Sequence, residues 1–402
     1  MKKTLTLICI SVLIAIYATP TIADVKIGGI IFTDVWYEFK DKENSGTKKD
    51  LTKFRIQIPN ISRLYGKWTN EEKNSGMYIE FGIDGNGVKE REVVTRHACG
   101  WWQVNPNLKI TAGMTATGLS PLNPQQLLGT ENGKINLIGG GFGDVYAGRI
   151  PLLKFTLTPS KEFQFDFAIS DPDIQSAGFN DTIDLAANVR TDGFEPWGKI
   201  DSTLPRIDIS AVIKAGPLTL YPGIMFANKT FTDVPKNADD SISTYVVSLA
   251  AKANVGPICI KGEINIGQNW GNQDLLSIGL ENKVYGGAVA IGNNQIENTD
   301  MYAGWLDVGI PVGVAEIHTI LGIQNYANDM QPGTTKDDFD QTCMMFGFSV
   351  PIKVTKNFKV RPELILYDLG ERENYIQTNT GEYESQDRGK YLIAGVQFQA
   401  SF

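Results

Sequence analysis

The sequence predicts an all-β protein, a transmembrane antiparallel β-barrel of about 16 strands. Three observations predict it. Apolar and polar residues alternate with period two along most of the chain. The connections between those segments alternate between long polar loops and short turns. The last strand ends on an aromatic, Phe402, at the final residue. Helical periodicity is almost absent, and no apolar run after the first residues is long enough for a membrane helix.

The chain opens with a segment outside this pattern. Lys2 and Lys3 form a basic start, Leu5 to Ile16 is apolar, and Thr21-Ile22-Ala23 reads as a small-x-small cleavage site. Residues 1–23 are therefore expected to be a cleavable signal peptide, and 24–402 a single barrel. Removing 23 of 402 residues leaves 379, and loss of the two lysines takes the formal charge from −8 to −10. Such an acidic chain offers no basic surface for nucleic acid. Cys99, Cys259 and Cys343 remain, too few and too scattered for a disulfide framework. No C-x-x-C-H motif occurs, and no cofactor is expected.

Each strand is read from its alternation. The first sets Val25, Ile27, Gly29 and Ile31 against Lys26, Gly28, Ile30, Phe32 and Asp34. Lys53, Arg55, Arg63 and Lys67 share one parity on the second. Met77, Ile79, Phe81 and Ile83 alternate with Tyr78 and Glu80, and Leu108, Ile110, Ala112 and Met114 with Lys109 and Thr111. The phenylalanines 163, 165 and 167 alternate with Gln164 and Asp166, and Ile207, Ile209 and Ile213 with Arg206, Asp208 and Ser210. Further on, Tyr245, Val247 and Leu249 alternate with Ser248 and Lys252, Ile258 to Ile266 with Lys261, Glu263 and Asn265, and Phe358 to Leu366 with Lys359, Arg361 and Glu363. In the last strand Leu392, Ala394, Val396, Phe398, Ala400 and Phe402 share one face. The segment 93–104 fits less simply. Placing Arg96 inward sends His97, Cys99 and Trp101 outward and Trp102 inward, unless a bulge intervenes.

Long connections fall at 40–51, 84–92, 117–145, 171–203, 227–242, 269–300, 325–341 and 369–388. Short ones include Asn105-Pro106-Asn107, Ala215-Gly216-Pro217 and Gly256-Pro257. A closed barrel with both termini on the periplasmic side sorts its loops this way. Lipid offers no hydrogen bonds, so the sheet must close. An extra hairpin within 274–291 would make about 18 strands instead.

With these strands in place, the chain resembles a bacterial porin of the general-porin superfamily. The likeness spans the N-terminal strand, the roughly 16 strands, a long third loop and Phe402. Ile61-Ser62-Arg63-Leu64-Tyr65-Gly66-Lys67-Trp68, Gly100-Trp101-Trp102, Ser120-Pro121-Leu122-Asn123-Pro124 and Gly148-Arg149 resemble in particular the porins of anaerobic deltaproteobacteria. The resemblance implies an outer-membrane channel for ions and small hydrophilic solutes, often a homotrimer. Phe398 and Phe402 resemble the C-terminal signal read by the barrel-assembly machinery. The third loop, 117–145, is expected to fold into the lumen, since Leu127, Leu128, Ile135 and Leu137 are odd for a loop in water. Facing it, Lys53, Arg55, Arg63, Lys67, Arg96 and Lys109 form a candidate basic wall, while the loop supplies Glu131 and Asp144. The alternative is a solvated wall whose cations pair with Glu80, Asp34 and Glu38.

Other sites read as ordinary. With only His97 and His318, and no nucleophile motif beside either, an enzyme is disfavoured. Gly139 to Gly143 lacks the strand–loop–helix setting of a phosphate loop. Asp171-Pro172-Asp173 and Asp84-Gly85-Asn86-Gly87 are turns rather than calcium loops. Trp36, Tyr37, Trp68, Trp101, Tyr221, Trp305 and Tyr367 are expected in interfacial girdles. A structural sheath around a partner such as a multihaem cytochrome is the rival to an open channel.

Overall fold

A computed structural model gives the fold. It describes residues 24–45, 49–59, 61–84, 92–125, 148–172, 202–232, 239–273, 295–328, 339–377 and 383–402, with a few short stretches between them. The expected signal peptide and the loop acids Glu131 and Asp144 lie outside the described residues.

Sixteen antiparallel strands close into one barrel. They are β1 Asp24–Lys40, β2 Leu51–Gln57 with Arg63–Thr69, β3 Ser75–Asp84, β4 Glu92–Asn105, β5 Leu108–Thr115 and β6 Ile150–Leu157. Then come β7 Phe163–Ser170, β8 Arg206–Ala215, β9 Leu218–Thr230, β10 Ser241–Val255 and β11 Ile258–Gln268. The circuit ends with β12 Asp300–Val312, β13 Ala315–Asn328, β14 Phe339–Ser349 with Ile352–Lys353, β15 Phe358–Asp368 with Glu371–Gln377, and β16 Tyr383–Asp387 with Lys390–Ser401. Each pairs with its neighbour in sequence, and β1 pairs with β16 from Ile30↔Ser401 to Lys40↔Tyr391. The closing seam extends to the last residue, where Gly29 and Phe402 exchange backbone hydrogen bonds. A Cβ on Gly29 would stand 2.6 Å from the Phe402 ring, so glycine there gives the terminal aromatic its seat.

Burial is inverted relative to a water-soluble protein. Ile224, Ile264, Ile266, Leu321, Met344 and Phe346 are exposed, while Asp34, Glu38, Glu80, Arg206, Asp307 and Arg361 are buried. Water-soluble folds bury the first set and solvate the second. A wall apolar outside and charged inside fits hydrocarbon around it. The turns at one end are tight. Gly216, Gly256 and Gly313 have φ near +60° with open space around them. A left-handed first residue is what a two-residue hairpin of the right twist requires, and Pro217 and Pro257 suit its second position.

The hairpin considered at 274–291 does not join the barrel. Ile278–Gly279 pairs instead with Asn136–Leu137 of the third loop, and Val289–Ile291 with Gln295–Glu297. The connection expected at 369–388 is corrected. The ladder resumes past Gly370 (φ 66°), and Glu371–Gln377 pairs with Tyr383–Asp387. The sequence of this extension, Glu371–Gln377 and Tyr383–Asp387, is mostly polar, so it carried no alternation to read.

Two irregularities shape the wall near the site. Between the halves of β2, residues 58, 59, 61 and 62 leave the ladder, and Ser62 Oγ takes its place on β1, accepting from Phe32 N (2.9 Å) and donating to Phe32 O (3.3 Å). On β4 the register jumps at Arg96: Glu80 faces His97, and Phe81 faces Thr95. This bulge corrects the parity expected for 97–102. Arg96, His97, Cys99 and Trp101 all turn inward, and Trp102 is 53 % exposed on the outside. The girdle expectation is corrected too. Tyr37 and Trp68 lie on the outer face, but Trp36, Trp305 and Tyr367 are buried within the barrel, and Trp101 and Tyr221 share the inward parity. Trp36 shares parity with Asp34 and Glu38, and Trp305 with Asp307, so alternation outweighs residue type here.

Candidate pore lining

The six predicted cations sit on β2, β4 and β5 and all face inward. They form a column rather than one ring. Lys53 and Arg55 are at the loop end of β2, Arg63 and Arg96 are near the middle, and Lys67 and Lys109 approach the short-turn end. Their partners on β1, Glu38 for Lys53 and Lys26 for Lys67, are 12 residues apart, so at about 3.3 Å per residue the column covers roughly 40 Å.

Three of them are held by acids on β1 and β3. Arg55 Nε lies 3.1 Å from Glu38 Oε2, and Lys40 Nζ lies 3.4 Å from Glu38 Oε1. Glu80 takes Arg96 Nε at 2.7 Å and Arg63 Nε at 3.3 Å, and accepts the Tyr78 hydroxyl at 2.6 Å. Arg55, Arg63 and Arg96 thus have the partners Glu38 and Glu80 that the solvated-wall alternative named. Asp34 accepts from Gln397 instead (2.8 Å). Among the described residues no carboxylate pairs with Lys53, Lys67 or Lys109. A second cation, Arg149, follows the third loop. Its Nε donates to His97 Nε2 (2.9 Å), which leaves the ring proton on Nδ1, donated to Thr115 Oγ1 at 3.0 Å.

The opposite wall holds both ends of the third loop. Ser120 Oγ donates to Glu263 on β11 (2.7 Å), and Gln125 N to Asp307 on β12 (2.8 Å). Lys261 Nζ reaches the Asn123 carbonyl (2.9 Å) and Asp307 (3.1 Å). Asp307 also binds His318 Nδ1 at 2.7 Å, so His318 is a wall residue in an acid–base cluster. At the loop's far end, the Gly143 carbonyl accepts from Asn265 (2.9 Å), and Gly143 (φ 99°) packs against the Gly304 backbone with no room for a Cβ. Leu119 and Val145 are buried in one apolar cluster with Trp36, Met225, Met301 and Met345 of the inner wall, and Trp270 and Leu275 of the loop after β11 join it. The anchors Lys261, Glu263 and Asp307 were visible as mid-strand charges of inward parity, but only the fold brings them to the loop.

These features, a closed 16-stranded barrel with a charged interior and a long third loop, define the fold of an outer-membrane porin. Solved structures of that class superimpose on it. The anion-selective porin from Comamonas acidovorans matches with a TM-score of 0.60 at 14 % identity, over 95 % of this chain and 100 % of the other. The outer-membrane channel DcaP of Acinetobacter baumannii matches with a TM-score of 0.64 at 16 % identity, over 94 % and 97 %. OmpF of Salmonella typhi matches with a TM-score of 0.54 at 8 % identity, over 93 % and 97 %. No family model and no curated protein matches the sequence.

Proposed function

We propose that the chain is a passive outer-membrane channel for ions and small hydrophilic solutes, without catalytic function. The third loop, 117–145, narrows its lumen, and its cationic column favours anions. The observation that carries the reading is the division of the interior. Lysines without a carboxylate partner among the described residues line β2 and β5, while the described ends of the third loop are tied to β11 and β12 across from them. Fixed charge on one wall of a narrow aqueous path sets which ion enters. The similar anion-selective porin and the channel DcaP support the reading. We extend it to a cleavable signal at 1–23, a deltaproteobacterial type of porin, recognition of Phe398 and Phe402 during assembly, and a homotrimer. A similar protein, OmpT of Vibrio cholerae, is known in a trimer form.

The sheath reading finds less support. An inner wall made to hold a partner protein needs an uncovered apolar surface, and the apolar cluster here is already covered by the chain's own Leu119, Val145, Trp270 and Leu275.

The test of the anion preference is the reversal potential of KCl across a planar bilayer carrying the triple variant Arg63→Gln, Lys67→Gln, Arg96→Gln. Removing both arginines bares Glu80, so the preference is expected to move toward cations. An unchanged reversal potential would remove the basic wall from the account.

A further inference from the structure

Below the Arg63–Glu80–Arg96 cluster, toward the short turns, the lumen wall forms an open cavity of about 520 Å³. Four lysines line it: Lys67 from β2, Lys73 from the β2–β3 turn, Lys109 from β5 and Lys154 from β6. Tyr78 and Trp101 are its aromatic walls, and no carboxylate lines it among the described residues. Two acids flank it on that wall: Glu80 is occupied by two arginines and Tyr78, and Asp166 on β7, whose charge also acts on Lys154, accepts from Thr156 and Gln164. Lys154 Nζ donates to the Ala116 and Thr117 carbonyls (2.9 and 3.2 Å), which aims its charge at the start of the third loop. In a chain of net charge −8, four ammonium groups around one acid-free hollow are a local inversion of sign.

Lys73 adds an independent observation. It has φ 55°, a left-handed conformation that costs a residue other than glycine or asparagine about 1 kcal/mol or more. The turn is built to hold it there. Asn70 Oδ1 accepts from the backbone N of both Asn74 and Ser75 (3.0 Å each), Asn70 Nδ2 donates to Asn74 Oδ1 (2.7 Å), and Asn74 Nδ2 engages the turn's own Glu72 (2.6 Å). Glycine would fill that position without strain, yet a cation stands there.

We infer that this cavity binds small polyvalent oxyanions, inorganic phosphate or a small polycarboxylate. The ammonium of lysine is a compact point charge, and several around one hollow favour a ligand with two or more charges over chloride. The volume falls within the range of small-molecule sites. The inference deepens the proposed channel, since a solute leaving the constriction meets this cavity before the periplasm.

Calorimetric titration of the full-length barrel in detergent, with citrate and separately with phosphate at low ionic strength, tests it. Saturable binding is expected, at least about tenfold weaker in Lys73→Gln/Lys154→Gln, a loss of about 1.4 kcal/mol. Binding of citrate alone assigns organic acids, and binding of both assigns the shared charge. Absence of saturable heat with either anion overturns the inference, as does equal affinity in the variant. Should the double variant fail the heat-modifiability check for a folded barrel, Lys73→Gln alone, in an exposed turn, gives the comparison. Conduction is read separately in bilayers. A silent barrel that binds citrate contradicts the channel and keeps the site, and a conducting barrel that binds neither anion does the reverse.

Discussion

At the residue scale, the interior is governed by which cations have a carboxylate partner. Glu80 bridges Arg63 and Arg96, so it masks two charges at once. Replacing it with glutamine frees both. One charge a few ångströms from a permeating ion, in an aqueous lumen, is worth about 1 kcal/mol. Glu80→Gln is therefore expected to raise the chloride-to-potassium permeability ratio roughly fivefold, read as a shift of the reversal potential in a KCl gradient. It should also lower the temperature of barrel unfolding, because two arginines lose their partner. Much at this scale was legible in the sequence. Inward parity of Arg55, Arg63 and Lys67 followed from alternation, as did that of Glu38 and Glu80, the partners of the two arginines. The side chains after Arg96 were not legible, because one bulged residue reverses every parity that follows it.

At the scale of elements, alternating strands were readable and mostly polar ones were not. Period two appears only where one face meets lipid and the other water, so β1 to β16 were visible in the band. The mostly polar ladder of Glu371–Gln377 with Tyr383–Asp387 carried no such alternation and looked like loop. The break in β2 yields a prediction. Ser62 supplies the hydrogen bonds that Phe32 would otherwise lack, in a wall where water and lipid offer poor substitutes. Ser62→Ala is expected to destabilise the barrel by about 1–3 kcal/mol, seen as a lower heat-modifiability temperature in detergent electrophoresis. The third loop yields another. Asp307 receives Gln125 N, Lys261 and His318 together. Asp307→Ala should loosen the loop's first anchor and give larger, noisier single-channel currents. Currents identical to those of the parent protein would separate that anchor from the constriction. The loop's docking partners were hidden from the sequence because they lie more than a hundred residues away, on β11 and β12.

At the scale of the whole molecule, closure and inversion belong together. An apolar exterior requires a sheet without edges, and closing the sheet encloses a polar interior. Here that interior is asymmetric. Its loop-end half from β9 round to β1 is lined by Met225, Met301, Ile365, Tyr391 and Trp36 and covered by loop residues, while β2, β5 and β6 carry Lys53, Lys67, Lys109 and Lys154. The proposed path for solutes runs along the basic side. The measurement that tests this most directly is single-channel current through the refolded mature barrel in a planar bilayer, with a KCl gradient across it. The account predicts steady ohmic conductance and a reversal potential of the sign given by chloride passing more readily than potassium. A folded, heat-modifiable barrel that inserts and stays silent would contradict the open channel, and a conducting barrel that prefers potassium would contradict the basic path.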